Sequence, residues 1–214
     1  MSSSSARFLT LEGIEGVGKS TQIAHLARAL EAAGVAHLVT REPGGTPMAE
    51  KIREIVLERR DEELPPTAEL LLMFAARALH LANRIEPGLR AGRWVLCDRF
   101  TDATYAYQGA GRGMSAESIA LLENLVQGGR RPDLTIVLDS PVELALKRAR
   151  ARNAALRADR FEVERAEFFE RVRGAYLARA AASPDRMLVI DATRTESEVT
   201  EAILGALRSR AWIS

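Results

Sequence analysis

Residues 8–21 read FLTLEGIEGVGKST, and within fourteen positions they specify a strand, a glycine loop and the start of a helix. Phe8 to Leu11 form a short apolar, β-prone run. Gly13, Ile14, Glu15, Gly16, Val17, Gly18, Lys19 and Ser20 match the spacing G-x-x-x-x-G-K-[ST], and QIAHLARAL continues at helical period. Each residue type has a chemical reason. Glycines allow backbone conformations that side chains forbid, so successive N–H groups point inward at phosphate oxygens. Lys19 adds a point charge, and the dipole of the following helix favours the same anion. The Ser20 hydroxyl, followed by Thr21, is placed to complete a magnesium shell on the bridging phosphates of a bound nucleotide. This feature fixes the chain as an α/β protein that holds a nucleoside triphosphate.

The remaining composition narrows the partners. Thirty Lys and Arg nearly balance 29 Asp and Glu, so the net charge of +1 offers no general attraction to nucleic acid or to an anionic membrane. Basic residues must therefore act locally. Cys97 is the single cysteine, and His25, His37 and His80 lie far apart, which argues against a zinc site. No apolar run approaches the roughly twenty residues of a membrane span, and the serine-rich leader lacks an apolar segment, so a cytoplasmic protein is expected. Residues 1–6 are read as a disordered tail and 7–214 as a single domain.

Strand and helix then alternate. A helix from Lys19 to Ala33 is followed by a strand from Val35 to Thr40, a helix from Pro47 to Glu58 and another from Thr67 to Glu86. Further strands are expected at 93–97, 134–138 and 187–190, with helices from Ser115 to Gln127, from Pro141, over 161–182 and over 196–207. TDATYAYQ and the flexible GAGRG are given no regular element. Right-handed crossovers between such strands produce a five-stranded parallel sheet flanked by helices, with ligands at the carboxyl ends of the strands. One hydrophobic centre and no repeat or linker are expected.

Arg41 and Glu42 open a Pro-Gly-Gly turn at one of those strand ends, and Asp98 with Arg99 end another. Arg77 sits in LLLMFAAR, an apolar helix where a charge needs a partner. The run KRARARNAALRADR, residues 147–160, reads as a mobile arginine-rich lid at about 150–160. This is more positive charge than one ATP requires, so a second anionic substrate is implied. A phosphate monoester acceptor is largely dianionic at pH 7, its second pKa being about 6, so positioning and charge neutralisation carry the rate.

The chain closely resembles the bacterial thymidylate kinases, P-loop nucleoside monophosphate kinases that transfer the γ-phosphate of ATP to dTMP. The likeness runs from Arg7 to about Leu207 and rests on LEGIEGVGKST, TREPGGTPMAEKIRE, LLLMFAAR, CDRF, TYAYQGAGRG, RPDLTIVLD, the RARAR lid and VIDAT. It implies a P-loop kinase fold, magnesium with ATP as co-substrate, a homodimer and a role in dTDP supply. By similarity, Glu15 lies near the sugar 3'-hydroxyl, and Arg41, Arg53 and Arg99 grip the acceptor phosphate. Glu42 and Pro43 then shape the sugar pocket. Arg77, Thr104 and Gln108 would read the thymine edge, and Tyr107 would oppose a 2'-hydroxyl. Asp98 resembles the family's acidic residue beside magnesium, and Thr193 with its neighbours would hold adenine.

Two positions depart from the family pattern. One branch carries an arginine where this chain has Gly16, so the catalytic arginine is expected from the lid, at Arg152, Arg157 or Arg160. The aromatic that stacks on thymine lies, in many members, where Met73 stands here. Either Phe74 turns in from the next position, which is the preferred reading, or Met73 packs on the base as a thioether does on aromatic rings. A kinase for another nucleoside monophosphate would change LLLMFAAR and TYAYQG. A P-loop regulatory NTPase would lack the second phosphate site, and no N-K-x-D guanine signature occurs.

Overall fold

The computed structural model describes residues 6–58, 61–152, 160–161 and 164–213. Its elements run β1 (Phe8–Glu12), α1 (Lys19–Ala32), β2 (His37–Arg41), α2 (Pro47–Leu57), α3 (Pro66–His80) and, after a π-helical turn at Leu81–Ile85, α4 (Glu86–Arg90). Then come β3 (Trp94–Asp98), α5 (Thr101–Thr104), a π-helical segment at Tyr105–Gly111, α6 (Ala116–Gln127), β4 (Leu134–Asp139), α7 (Val142–Arg152), α8 (Ala166–Ala182), β5 (Met187–Asp191) and α9 (Glu196–Ser209). The five strands pair in parallel in the order β2-β3-β1-β4-β5, as the alternation of elements requires.

The phosphate-loop strand β1 is thus the centre of the sheet. Every strand ends on a charged residue: Glu12, Arg41, Asp98, Asp139 and Asp191. The charge of the sheet collects at one edge, which is where ligands bind in open α/β sheets.

Side chains alternate across the sheet because a strand has period two. Leu9 and Leu11 of β1, with Trp94 and Leu96 of β3, join the large cluster that α1, α8 and α9 cover. Phe8, Val95 and Cys97 face the other way and meet Leu38, Leu81, Ile85 and Phe100. In place of the single hydrophobic centre expected from the sequence there is one large cluster and two smaller ones, the third formed by Leu70, Phe74 and Ile119.

Three local expectations are corrected. The helix expected to stop at Glu86 continues to Arg90, because the π turn before it shifts the hydrogen-bond register and leaves Pro87 in the first turn of α4, where its missing N–H costs nothing. The segment around TYAYQGAG is helical. A Cβ on Gly111 would meet the Phe168 ring at 2.6 Å, so the glycine there serves close packing against α8. The helix expected from Phe161 begins at Ala166. Of the presumed lid, Arg150, Ala151 and the backbone of Arg152 extend α7, and residues 153–159, which include Arg157, lie outside the described residues. So do residues 1–5 of the presumed tail.

Candidate active site

The loop between β1 and α1 stands between two cavities. Gly16, Gly18 and Thr21 line both a cavity of ≈ 420 Å³ on one side and a shallower one of ≈ 210 Å³ on the other. Gly16 has φ +80, and a Cβ on it would lie 1.9 Å from the Ala145 carbonyl oxygen of α7. No side chain fits there, which gives a physical reason why this chain carries no arginine at that position.

Lys19 is buried and folds back on its own loop. Its Nζ donates to the carbonyls of Gly13 at 3.0 Å and Ile14 at 2.9 Å. Burial, with Arg99 nearby, lowers its pKa to about 8. The Ser20 hydroxyl donates to Asp98 Oδ2 at 3.3 Å, and both residues line the larger cavity. A hydroxyl beside a carboxylate is a set of hard oxygen donors, which suits a divalent ion shared with nucleotide phosphates.

The larger cavity gathers residues from distant segments. Arg41, Glu42 and Pro43 reach it from the end of β2, Arg53 from α2, Met73 from α3 and Asp98 with Arg99 from the end of β3. Glu15 comes from the loop, and Tyr107 and Gln108 come from the π-helical segment. The three arginines expected to share a phosphate thus meet in one place. Arg41 pairs with Glu50 at 2.8 Å, and Arg53 donates to the Pro43 carbonyl at 2.9 Å. Glu50 Oε1 also accepts the Gly45 N–H, so the turn after Pro43 is held by the carboxylate that steadies Arg41.

Arg99 has φ 71, a left-handed conformation that costs a non-glycine residue about 1–3 kcal/mol. Its guanidinium lies 4.6 Å over the Tyr107 ring and donates to Glu15 Oε1 at 2.8 Å. The Tyr107 hydroxyl donates to the same carboxylate. Burial, together with the Glu15 charge, keeps that phenol well above its ordinary pKa. Glu12, at the end of β1, is wholly buried, and burial with Asp102 nearby raises it to about 8.

Deep in the same region is a polar network built on Glu69, Arg77 and His80 of α3, with Met73 between them on the same face at helical intervals. Arg77 donates from Nε to Glu42 at 2.8 Å and from one Nη to the Thr104 hydroxyl at 2.9 Å. Glu42 also pairs with His80, whose other nitrogen meets Thr40 at 2.6 Å. Gln108 donates its amide to Glu69 at 2.7 Å. Two buried atoms of this network have no partner among the described residues: Arg77 Nη1, a donor, and Gln108 Oε1, an acceptor.

Four expectations are corrected here. Met73, not Phe74, lines the cavity. Phe74 is turned into a separate cluster with Leu70 and Ile119, its ring 4.9 Å from the Arg77 guanidinium. Arg77 and Thr104 stand behind the cavity wall, and neither lines it. Arg160 is engaged away from the phosphate loop. It pairs with buried Glu69, and its Nε and backbone N–H donate to the carbonyls of Val56 and Leu57. Thr193 turns back, donating hydroxyl and N–H to Asp191, while Arg148, Ala192 and Arg194 line the shallower cavity.

Sequence reasoning missed Phe161, which lines the larger cavity and packs edge-on to Tyr107 at 5.6 Å. It also missed Glu69, Glu12 and Tyr176, which hold other site residues from behind. The α3 stripe was readable as charged residues recurring on one face of an apolar helix. Phe161 had no comparable signal.

Residues 11–203 match the family model described as Thymidylate kinase. The chain is 57% identical over 205 residues to the thymidylate kinase of Chromohalobacter salexigens, covering 95% of this chain and 96% of that one. It is 56% identical over 196 residues to the thymidylate kinase of Pseudomonas fluorescens, with 92% of each chain covered. The crystal structure of thymidylate kinase from Ehrlichia chaffeensis superposes with a TM-score of 0.76 at 32% identity, covering 94% of this chain and 98% of that one. The chain belongs to the thymidylate kinase family.

Proposed function

We propose that the chain transfers the γ-phosphoryl group of ATP to dTMP, giving ADP and dTDP. The observation that carries the choice of acceptor is Gln108, which lines the larger cavity and whose buried Oε1 has no partner among the described residues. Thymine presents a donor at N3–H, the complement of that acceptor. Cytosine presents an acceptor at the same position, and would leave the buried oxygen unsatisfied at a cost of about 1–3 kcal/mol. Met73 supplies an apolar, polarisable surface for the base.

The acceptor phosphate is taken to lie among Arg41, Arg53 and Arg99, already a dianion near neutral pH, so no general base is assigned. In this reading Glu15 and Tyr107 sit at the sugar, and Tyr107 leaves no room for a 2'-hydroxyl. The triphosphate runs along the loop from Gly13 to Thr21, with Arg148 and Arg194 flanking adenine. Lys19 exchanges its two carbonyl contacts for phosphate oxygens. Ser20 and Asp98 would hold Mg²⁺, which when bound neutralises charge on the bridging phosphates. The remaining positive charge for transfer is assigned to the arginines at 152 and 157.

We also propose a cytoplasmic homodimer. Leu121 and Leu125 of α6 are 70% and 79% exposed and four residues apart, and Leu71 of neighbouring α3 is 53% exposed. Such an apolar face suits a second copy of the chain. Turnover is tested by ADP release from magnesium-ATP with dTMP, dUMP, dCMP, dGMP and AMP offered separately. Preference for dTMP over dCMP is expected, and equal rates with the two would overturn the base assignment.

A further inference from the structure

Glu12 ends the central strand and is closed off from solvent entirely. Its Oε1 accepts the Phe100 backbone N–H at 2.7 Å, and its Oε2 accepts the Tyr176 hydroxyl at 2.8 Å. Neither donor is a cation, so nothing in these contacts resembles a structural ion pair. What the first contact does is fix the peptide that follows Arg99. The Arg99 N–H itself donates to the Leu11 carbonyl at 3.0 Å. Two consecutive residues of β1 therefore hold two consecutive peptides of the turn after β3.

Between those two anchors lies the left-handed φ of Arg99. A conformation of that kind persists only where the surroundings over-determine it. Released, the residue would relax toward ordinary φ, and its side chain would leave the line that carries it over Tyr107 to Glu15. Tyr176 adds a third support. It belongs to α8, its ring lies 6.4 Å from that of Tyr107, and its hydroxyl orients the Glu12 carboxyl from the side opposite Phe100.

We infer that Glu12, braced by Tyr176, is a positioning residue that holds the strained Arg99 turn and so aims its guanidinium at the acceptor phosphate. The inference rests on the reading of Arg99 as an acceptor clamp. Glutamine at position 12 still accepts from Phe100, but it presents an amide N–H₂ to Tyr176 and forces the phenol to reverse. Phenylalanine at position 176 removes one support and leaves the Phe100 contact in place. Both changes loosen the brace without touching either nucleotide.

The test is steady-state kinetics with dTMP and ATP varied separately, for Glu12→Gln, Tyr176→Phe, Arg99→Ala and the two double variants that include Arg99→Ala, with thermal melting to confirm folding. Loss of one such hydrogen bond should raise the KM for dTMP about threefold to tenfold, with the KM for ATP within about twofold of its starting value. In the Arg99→Ala background the same substitutions should have no further effect on dTMP. Should Glu12→Gln and Tyr176→Phe leave the dTMP KM unchanged while Arg99→Ala raises it, the brace is refuted and the clamp stands. Full-sized effects persisting without Arg99, or equal effects on ATP, also refute the brace. An Arg99→Ala enzyme with unchanged dTMP KM removes the clamp reading and the brace together. If Glu12→Gln does not fold, Tyr176→Phe carries the same comparisons alone.

Discussion

The loop from Gly13 to Thr21 and the cavity beside it bind anions by different means. The loop is contiguous, and its donors are mostly backbone N–H groups whose direction follows from chain conformation. The cavity draws side chains from the ends of β2 and β3, from α2, from α3 and from the π-helical segment. Charges at the cavity are paired with one another or with carboxylates and arginines beside it: Arg99 with Glu15, Arg41 with Glu50 and, behind the wall, Arg77 with Glu42. A backbone site tolerates change around it as long as the turn survives. A site made of mutually paired side chains depends on its members, most of all where removing one leaves a partner as buried as Glu42 unsatisfied.

This difference predicts the size and kind of effects. Lys19 is the one side chain on which the loop leans for charge, so Lys19→Met should lower turnover by about 10²- to 10³-fold with the melting temperature preserved. Turnover within tenfold of the parent would dissolve the distinction. On the cavity side, Gln108→Leu should act on selectivity. The ratio of kcat/KM for dTMP over dCMP should fall about tenfold, the value of one hydrogen bond, with the KM for ATP unmoved. A drop in activity toward both nucleotides alike would mean the residue serves packing only.

The smallest effect concerns protons. Lys19 with a pKa of about 8 is about half charged at pH 8. Phosphate oxygens replacing the two carbonyls favour the charged form and raise that pKa. ATP binding at pH 8 should therefore take up about half a proton, measured by calorimetry in buffers of different ionisation enthalpy. The uptake should vanish in Lys19→Arg, whose side chain stays charged, and at pH 6, where Lys19 already carries its proton. Proton release at pH 8 would reverse the assignment.

The same contrast governs how much of the site was legible in the sequence. The loop could be read whole because its members are neighbours in the chain. Strand ends were legible too: Arg41, Glu42, Asp98 and Arg99 follow apolar runs and fall where parallel sheets place ligands. The sequence leaves Met73 and Phe74 as alternatives, and the preference for Phe74 fails because one position is about 100° of helix rotation, and which face meets the cavity depends on what α3 packs against. Arg160 stands among the three lid candidates for the catalytic arginine because an arginine run does not disclose where its carboxylates are. Its partner, Glu69, lies 91 residues away. Tyr176 and Glu12 are 164 residues apart, and neither stands in a pattern that joins them.

The near contact between Gly16 and α7 also bears on descent. An arginine at position 16 could not enter by a single substitution, since its first side-chain carbon would strike the Ala145 carbonyl. The helix would have to withdraw beforehand. Moving extra positive charge into the glycine loop of this chain thus takes two changes, a backbone displacement and a new side chain, and neither alone gives a working loop.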